Sequence, residues 1–370
     1  MSRLLVDLDR LTRARDLTAA SGLDAMLVTP GPDLRYLSGY DAIPLERLTC
    51  LVLRPEKDPV IVVPLLEVPA AAASPLGAAG IEILSWGETD DPYARVASLV
   101  PGARRVAVDD HMWAEKVLAL REAMPAAEQS LAGTVLRELR MRKKPVEIEA
   151  LAAAGHAIDA VHADMGQWLR AGRSEREIGS DIAEGMLAAG HATVDFVIVA
   201  SGPNGASPHH ELSDRVVQAG DPVVVDIGGT TPEGYCSDST RTYCVGTPPA
   251  EFLASYEVLH AAQEAACQWA RPGVTAESVD AAARDVIEAA GYGELFVHRT
   301  GHGIGLSTHE EPYIVAGNTL QLEEGMSFSI EPGIYHPGIY GARIEDIVVC
   351  TDDAVRRLNL RPRALVMFDA

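Results

Sequence analysis

The sequence predicts two domains: an α/β domain over residues 1–143, and an α+β domain over 144–370 built on an internal repeat. Three observations carry this. Short apolar runs alternate with amphipathic stretches through the first part of the chain. A basic cluster then runs into Pro145, where one helix must stop and another begin, which puts the boundary near Lys143 and Lys144. Beyond it, the stretch that starts at Gln167 recurs at Gln268 without a gap.

In order along the chain, "MSRLLVDLDRLTRARD" mixes apolar and charged residues. It reads as an amphipathic helix and not as a signal peptide, which needs an unbroken apolar segment. The expected strands are "AMLVT" from Ala25, "LTCLVL" from Leu48, "PVIVVPLLE" from Pro59, "IEILSW" from Ile81 and "RRVAV" from Arg104. Helices are expected over "DLDRLTRARDLTAASG" and "HMWAEKVLALREAM". No GxGxxG or Walker motif cradles a phosphate here. The 370 residues carry a formal net charge of −22, which argues against nucleic acid or an anionic membrane as the main partner. No apolar run is long enough to span a bilayer. Five scattered cysteines without a CxxC pair read as reduced thiols, which places the chain in the cytoplasm.

The repeat pairs Gln167 and Trp168 with Gln268 and Trp269, Gly172 with Gly273, and Gly190 with Gly291. Ser174 and Thr275 stand where each copy needs a helix N-cap, and Glu177 completes a capping box in the first. Ile178, Ile182 and Met186 form one helical face, matched by Val279, Ala283 and Ile287. The glycines at 190 and 291 end the two helices. Further on, "SGPNGASPHHE" from Ser201 matches "GHGIGLSTHEE" from Gly301, which sets His209 on His309. "GDPVVVD" ending at Asp226 matches "GMSFSIE" ending at Glu331, and "YCSDSTR" around Asp238 matches "ARIEDIV" around Glu345. Two half-domains about a pseudo-two-fold axis would bring these acids together where their sheets join.

Four carboxylates in a mostly apolar sheet need partners, because buried charge is paired or binds metal. Arg241 and Arg343 are the close cations in these strands, and two cannot neutralise four. With His302 of "TGHGIG", the acids make a hard, oxygen-rich ligand set that suits two divalent ions, manganese or cobalt ahead of thiolate-bound zinc. Such a pair activates a water for attack on a carbonyl, and His209 and His309 are placed symmetrically to help the resulting oxyanion. Singly, each residue has a plainer reading. A strand-end aspartate caps or meets solvent, a loop histidine is structural, and Arg343 beside Glu345 is an ordinary salt bridge. Recurrence at repeat-related positions favours the metal. His210, His298, His336, Cys236 and Cys244 lack that support and read as structural or peripheral, with His298 able to line the site.

These motifs resemble the pita-bread metallopeptidases: methionine aminopeptidase, aminopeptidase P and prolidase (Xaa-Pro dipeptidase). The resemblance covers essentially the whole chain and rests on "VVVDIGG", "YCSDSTRTY", "GHGIG", "SIEPGIY" and "ARIED" together. It implies a creatinase-type N-terminal domain, a pita-bread catalytic domain, and two divalent ions, manganese first, with cobalt or zinc admitted. It further implies that Asp226, Asp238, His302, Glu331 and Glu345 are the metal ligands and that Glu331 shuttles the proton. By the same resemblance, His309 steadies the tetrahedral intermediate, while His209 and Arg343 contact substrate. The N-terminal domain, the arginine of "RIED" and the "PHHE" at Pro208 resemble the proline-specific branch. The expected activity is therefore metal-dependent cleavage of the Xaa-Pro bond in short peptides, dipeptides foremost, by a homodimer. Aminopeptidase P acting on longer peptides is the near rival, and a silent peptide-binding relative is the distant one. One departure stands out: eleven residues separate Asp226 from Asp238 where the family commonly has ten. The extra residue is expected in the turn "GTTPEG", which would leave both aspartates on one side.

Overall fold

The computed structural model describes residues 8–369. The amphipathic reading of residues 1–7 lies outside them. Contacts divide the chain into two compact units, Met1–Arg140 and Met141–Ala370.

The first unit holds a six-stranded sheet in the order β4-β3-β2-β1-β5-β6. Its strands are β1 (Ala25–Val28), β2 (Cys50–Arg54), β3 (Lys57–Pro64), β4 (Glu82–Trp86), β5 (Arg105–Val108) and β6 (Glu128–Leu131). Its helices are α1 (Leu8–Ala20), α2 (Pro32–Ser38), α3 (Val68–Ala73), α4 (Pro75–Ala78), α5 (Pro92–Leu99), α6 (Ala114–Ala123) and α7 (Gly133–Arg140). Ala25 and Leu27 of β1 and Cys50 and Val52 of β2 pack on Val96 of α5 and Leu120 of α6, and the alternate residues Met26 and Leu51 are also fully buried. Burial on both faces is why these strands read as unbroken apolar runs. Two expectations are corrected. The strand from Pro59 stops at Pro64, which has no N–H for the ladder, and Leu65–Glu67 turn in a 3-10 helix. The edge strand β6, "EQSL", is largely exposed, so it lacks the apolar signal that would have revealed it.

In the second unit, α8 (Pro145–Trp168) begins at the expected proline, and the Lys144 N–H donates to the Glu147 carboxylate at 2.9 Å. There follow α9 (Glu175–Ala188), β7 (Thr193–Ser201), β8 (Pro222–Thr230), β9 (Cys236–Val245), α10 (Ala250–Trp269) and α11 (Ala276–Ala289). The remaining strands are β10 (Gly301–Gly303), β11 (Glu310–Ile314), β12 (Ser327–Ile330), β13 (Gly333–His336), β14 (Tyr340–Arg343), β15 (Asp346–Cys350), β16 (Val355–Arg357) and β17 (Val366–Phe368). They form a four-stranded sheet β17-β9-β8-β7, a five-stranded sheet β11-β10-β12-β15-β16 and a β13-β14 hairpin.

The repeat is structural as well as sequential. The Gly172 N–H donates to Val217 O at 2.9 Å, and the Gly273 N–H to Leu322 O at 2.8 Å. Ser174 bridges Val216 as Thr275 bridges Gln321. Ile178, Ile182 and Met186 lie in one core with Val223, Val225 and Ile227 of β8. Val279, Ala283 and Ile287 lie in another with Phe328 and Ile330 of β12. The caps differ. Ser174 and Glu177 form the expected box, whereas Thr275 occupies the N-cap without a side-chain cap bond. Position 278 is serine in the second copy and so lacks a carboxylate to reciprocate; its hydroxyl bonds Thr275 O instead.

Candidate metal centre

The β8–β9 hairpin fixes the first two carboxylates. Its register runs without a shift from Pro222↔Cys244 to Thr230↔Cys236, and it pairs Asp226 with Thr240 and Gly228 with Asp238. Thr240 and Asp238 are two apart on one strand, so Asp226, Thr240 and Asp238 share a face. The opposite face carries Val223, Val225 and Ile227, buried against α8 and α9. The ladder is continuous, so no bulge interrupts β8 or β9 between the two aspartates, and Thr231–Tyr235 make the turn that joins them.

The second half supplies the rest. Glu331 follows β12, and its N–H donates to Thr300 O at 2.8 Å. Glu345 joins β14 to β15. Its N–H donates to Thr240 O at 3.1 Å, and its Oε2 accepts from Thr240 Oγ1 at 2.8 Å. These bonds lock the junction of the two sheets. On β10, His302 Nδ1 lies 3.1 Å from Gly303 O, which can only accept, so Nδ1 carries a proton. Nε2 therefore faces the acids, 3.1 Å from Glu331 Oε1 and 3.6 Å from Asp238 Oδ2. There it either donates to Glu331 or, unprotonated, offers a lone pair to a cation.

The donor set fits divalent metal. Within each of three groups, ligand atoms lie within 4.8 Å of one another: Asp226, Asp238 and Glu345; His302, Glu331 and Glu345; and Asp238, His302 and His309. Asp226 Oδ1 and Glu345 Oε1 are buried and have no hydrogen-bond partner among the described residues. Buried carboxylate oxygens are rarely left so, and here they point to a hard cation. Arg241 does not relieve the charge, since its guanidinium pairs with Asp346 at 2.6 Å. Arg343 does so in part, donating to Asp226 Oδ2 at 2.5 Å, to Thr240 Oγ1 at 3.1 Å and to Tyr335 Oη at 2.7 Å.

The electrostatics agree. Burial, then the charges of Glu345, Asp226 and Glu331, push the Asp238 carboxyl well above its ordinary range. Burial and the charges of Glu331 and Asp226 do the same to Glu345. Burial also opposes ionisation of Glu331, but the His302 hydrogen bond and the electrostatic influence of His302, His298 and Arg343 outweigh it and hold Glu331 down at about 2. The His309 ring sits 4.0 Å from that of His302, and burial with neighbouring positive charge lowers its pKa to about 4. His209 is exposed, near enough for its charge to act on His298 and His309.

The other singled-out residues separate. His298 Nε2 accepts from Tyr335 Oη at 2.9 Å, which joins it to Arg343. His210 bonds Glu175, and the His336 ring packs 4.7 Å from that of Tyr340. All five cysteines are buried and free. Thr240, Ser329 and Tyr335 escaped the sequence reading. Thr240 was findable, being two residues from Asp238 on one strand. Ser329 accepts from the His302 N–H at 3.0 Å and donates to Glu331 at 2.9 Å, a link that no local pattern displays.

The sequence matches the profile of Metallopeptidase family M24 over residues 149–352 and that of the Creatinase/Prolidase N-terminal domain over residues 10–142. The chain belongs to metallopeptidase family M24. Its fold is that of the creatinase-type and pita-bread domains, and its family is metal-dependent. "Probable dipeptidase PepE" of Mycobacterium tuberculosis is 53% identical over 359 residues, covering 97% of this chain and 96% of the relative. The Xaa-Pro dipeptidase of Lactobacillus helveticus is 39% identical over 338 residues, covering 87% and 89%. The crystal structure of dipeptidase PepE from Mycobacterium ulcerans superposes with a TM-score of 0.95 at 52% identity, covering 99% of this chain and 98% of that one. Among the described residues of this M24 peptidase, no helix is long and apolar enough to cross a membrane.

Proposed function

We propose that this M24 peptidase hydrolyses the bond preceding proline in short peptides, Xaa-Pro dipeptides foremost. One observation carries the reading: Asp226, Asp238 and Glu345 lie within ligand reach of one another, as do His302, Glu331 and Glu345, and Glu345 joins the two groups. The names of the relatives, dipeptidase and Xaa-Pro dipeptidase, support the substrate class. In this reading residues 144–370 form the catalytic domain and 1–143 the N-terminal domain. The five residues hold two divalent ions per subunit, manganese first, in a cytoplasmic homodimer.

Such ions, when bound, lower the pKa of a water and polarise the scissile carbonyl. The protein's own groups do the rest. The bond before proline is a tertiary amide whose ring nitrogen must gain a proton as it leaves. Glu331, held between Ser329 Oγ and His302 Nε2, is the group to carry it. His309, beside His302, donates toward the oxyanion formed at the carbonyl. His209 contacts substrate from the repeat-related position. Arg343 holds Asp226 and the Pro208 carbonyl, and it reaches substrate by exchanging one of those bonds.

The test is release of proline from Ala-Pro beside cleavage of Ala-Pro-Ala, after EDTA treatment and Mn²⁺ add-back. Metal-restored cleavage of the dipeptide alone is expected. Cleavage of the tripeptide with little dipeptide turnover would make the chain an aminopeptidase P. Cleavage of neither would sink the substrate assignment.

A further inference from the structure

His209 and His309, the repeat-related histidines, are each followed by a residue tied to a buried ionisable partner. His210 Nε2 lies 2.8 Å from Oε2 of Glu175, whose side chain is 0% exposed. Glu310 Oε1 lies 2.6 Å from Lys143 Nζ, and these side chains are 9% and 2% exposed. The repeat places His210 on Glu310, so one station is anchored in both halves, by a carboxylate partner in one and a lysine partner in the other. The anchors themselves are unrelated: Glu175 opens α9, and Lys143 precedes α8. Two independent origins for the same contact point to a shared requirement.

The surroundings of each histidine are built to the same end. The Glu175 carboxylate also accepts from the Ser201 N–H and Oγ, both at 2.7 Å, from Asn204 Nδ2 at 3.0 Å and from Ser213 Oγ at 2.5 Å. One buried acid thus grips the loop at four residues. On the other side of His209, the Pro208 carbonyl accepts from Arg343 at 3.3 and 3.4 Å. In the second half, Glu310 pairs with Gly303 in the β10–β11 ladder, one residue from His302. A Cβ on Gly305 would come within 2.7 Å of Glu310 Oε1, so a glycine there leaves room for the buried acid. The Lys143 N–H donates to Gly325 O at 2.9 Å, which fixes the lysine's own backbone. Burying charge is costly unless it is well bonded, and packing alone would be served by apolar residues.

We propose that Glu175–His210 and Lys143–Glu310 are positioning pairs. Each fixes the backbone immediately after an active-site histidine and so aims His209 and His309 at the substrate. The inference rests on the substrate-facing reading of those histidines given above.

Full-length, Mn²⁺-loaded protein is assayed on Ala-Pro as His210→Ala, His210→Gln and Glu310→Gln. His210→Ala is repeated with His209→Ala, and Glu310→Gln with His309→Ala. Misplacing a reacting group by a fraction of an ångström to an ångström is expected to lower kcat/KM about tenfold in His210→Ala and in Glu310→Gln. Bound metal per subunit should not change. His210→Gln keeps an N–H donor for Glu175 and should recover most of the loss. On top of His209→Ala or His309→Ala, the anchor substitution should add about twofold or less, because the aimed group is already gone. Equal losses with the histidine present or absent would overturn the proposal, since the pairs would then act through general structure. Should His209→Ala and His309→Ala themselves leave kcat/KM unchanged, the substrate-facing reading fails and the positioning role falls with it. The single and double variants keep those two failures apart.

Discussion

Replacing Asp238 by asparagine should make the metal-stripped protein more stable while destroying its response to metal. Asp226, Asp238 and Glu345 present oxygens within 4.8 Å of one another, and Asp238 is 4% exposed. At an effective dielectric of about 20, two unit charges at that separation repel by about 3.5 kcal/mol. The substitution removes two such repulsions. It also removes an attraction to Arg343, and a carboxyl whose pKa is raised relieves part of the repulsion by taking up a proton. The net gain should be roughly 1–3 kcal/mol, which at about 2–4 °C per kcal/mol for a domain of this size is a readable rise in Tm. The assay is a thermal melt of wild type and Asp238→Asn, each after EDTA and each with excess Mn²⁺. Wild type should gain about 2.7 kcal/mol at a free-metal concentration of 100 times Kd, and the variant little. A stripped variant melting at or below stripped wild type, or a variant with an undiminished metal shift, would show that these carboxylates are not a strained ligand set.

Three further outcomes follow from the same geometry. Gly341→Ala puts a Cβ 2.0 Å from Gly205 O, so it should cost about 1–3 kcal/mol in a melt and lower kcat/KM by disturbing the loop that carries His209. Burial, aided by the charge of Arg241, lowers the His162 pKa from 6.5 to about 3, so the stability that this neutral histidine contributes should be complete above pH 6.5 and be lost as pH drops from there toward 3. In His162→Gln, denaturant melts across that window should lose the slope that this histidine contributes. Tyr235→Phe deletes the 2.8 Å bond that Oη donates to the buried Glu147 carboxylate, which should cost about 1 kcal/mol by urea titration.

Much of this was legible because the repeat doubles every signal. One acid at a strand end says little, but Asp226 on Glu331 and Asp238 on Glu345 predicted a common meeting point, and the two sheets bring all four together. Helix faces were legible for the same reason: Ile178 and Val279 and their successors recur at helical spacing and are fully buried. What escaped was whatever joins distant segments without a local pattern. The cation of Lys143 read as part of a basic boundary cluster, yet its partner Glu310 lies 167 residues on. Arg343 read as a substrate contact, and nothing in "RIED" tells that its guanidinium meets Asp226, 117 residues earlier. Thr275 shows the converse limit, since the repeat fixes its position but the lost glutamate removes its cap.

The junction at Thr240 and Glu345 has a consequence for how the chain matures. Those residues lie 105 apart in sequence, and each half of the repeat owns only two of the four acids. The first half offers only Asp226 and Asp238, and the His302, Glu331 and Glu345 group comes with the second, so a nascent chain with its first sheet complete would hold a cation poorly. Capture would wait for the second sheet to dock and would then pin the two halves with a strength that neither hairpin possesses. A cation lodged there would act as a late, reversible staple, and its uptake would serve as a timestamp for completed folding.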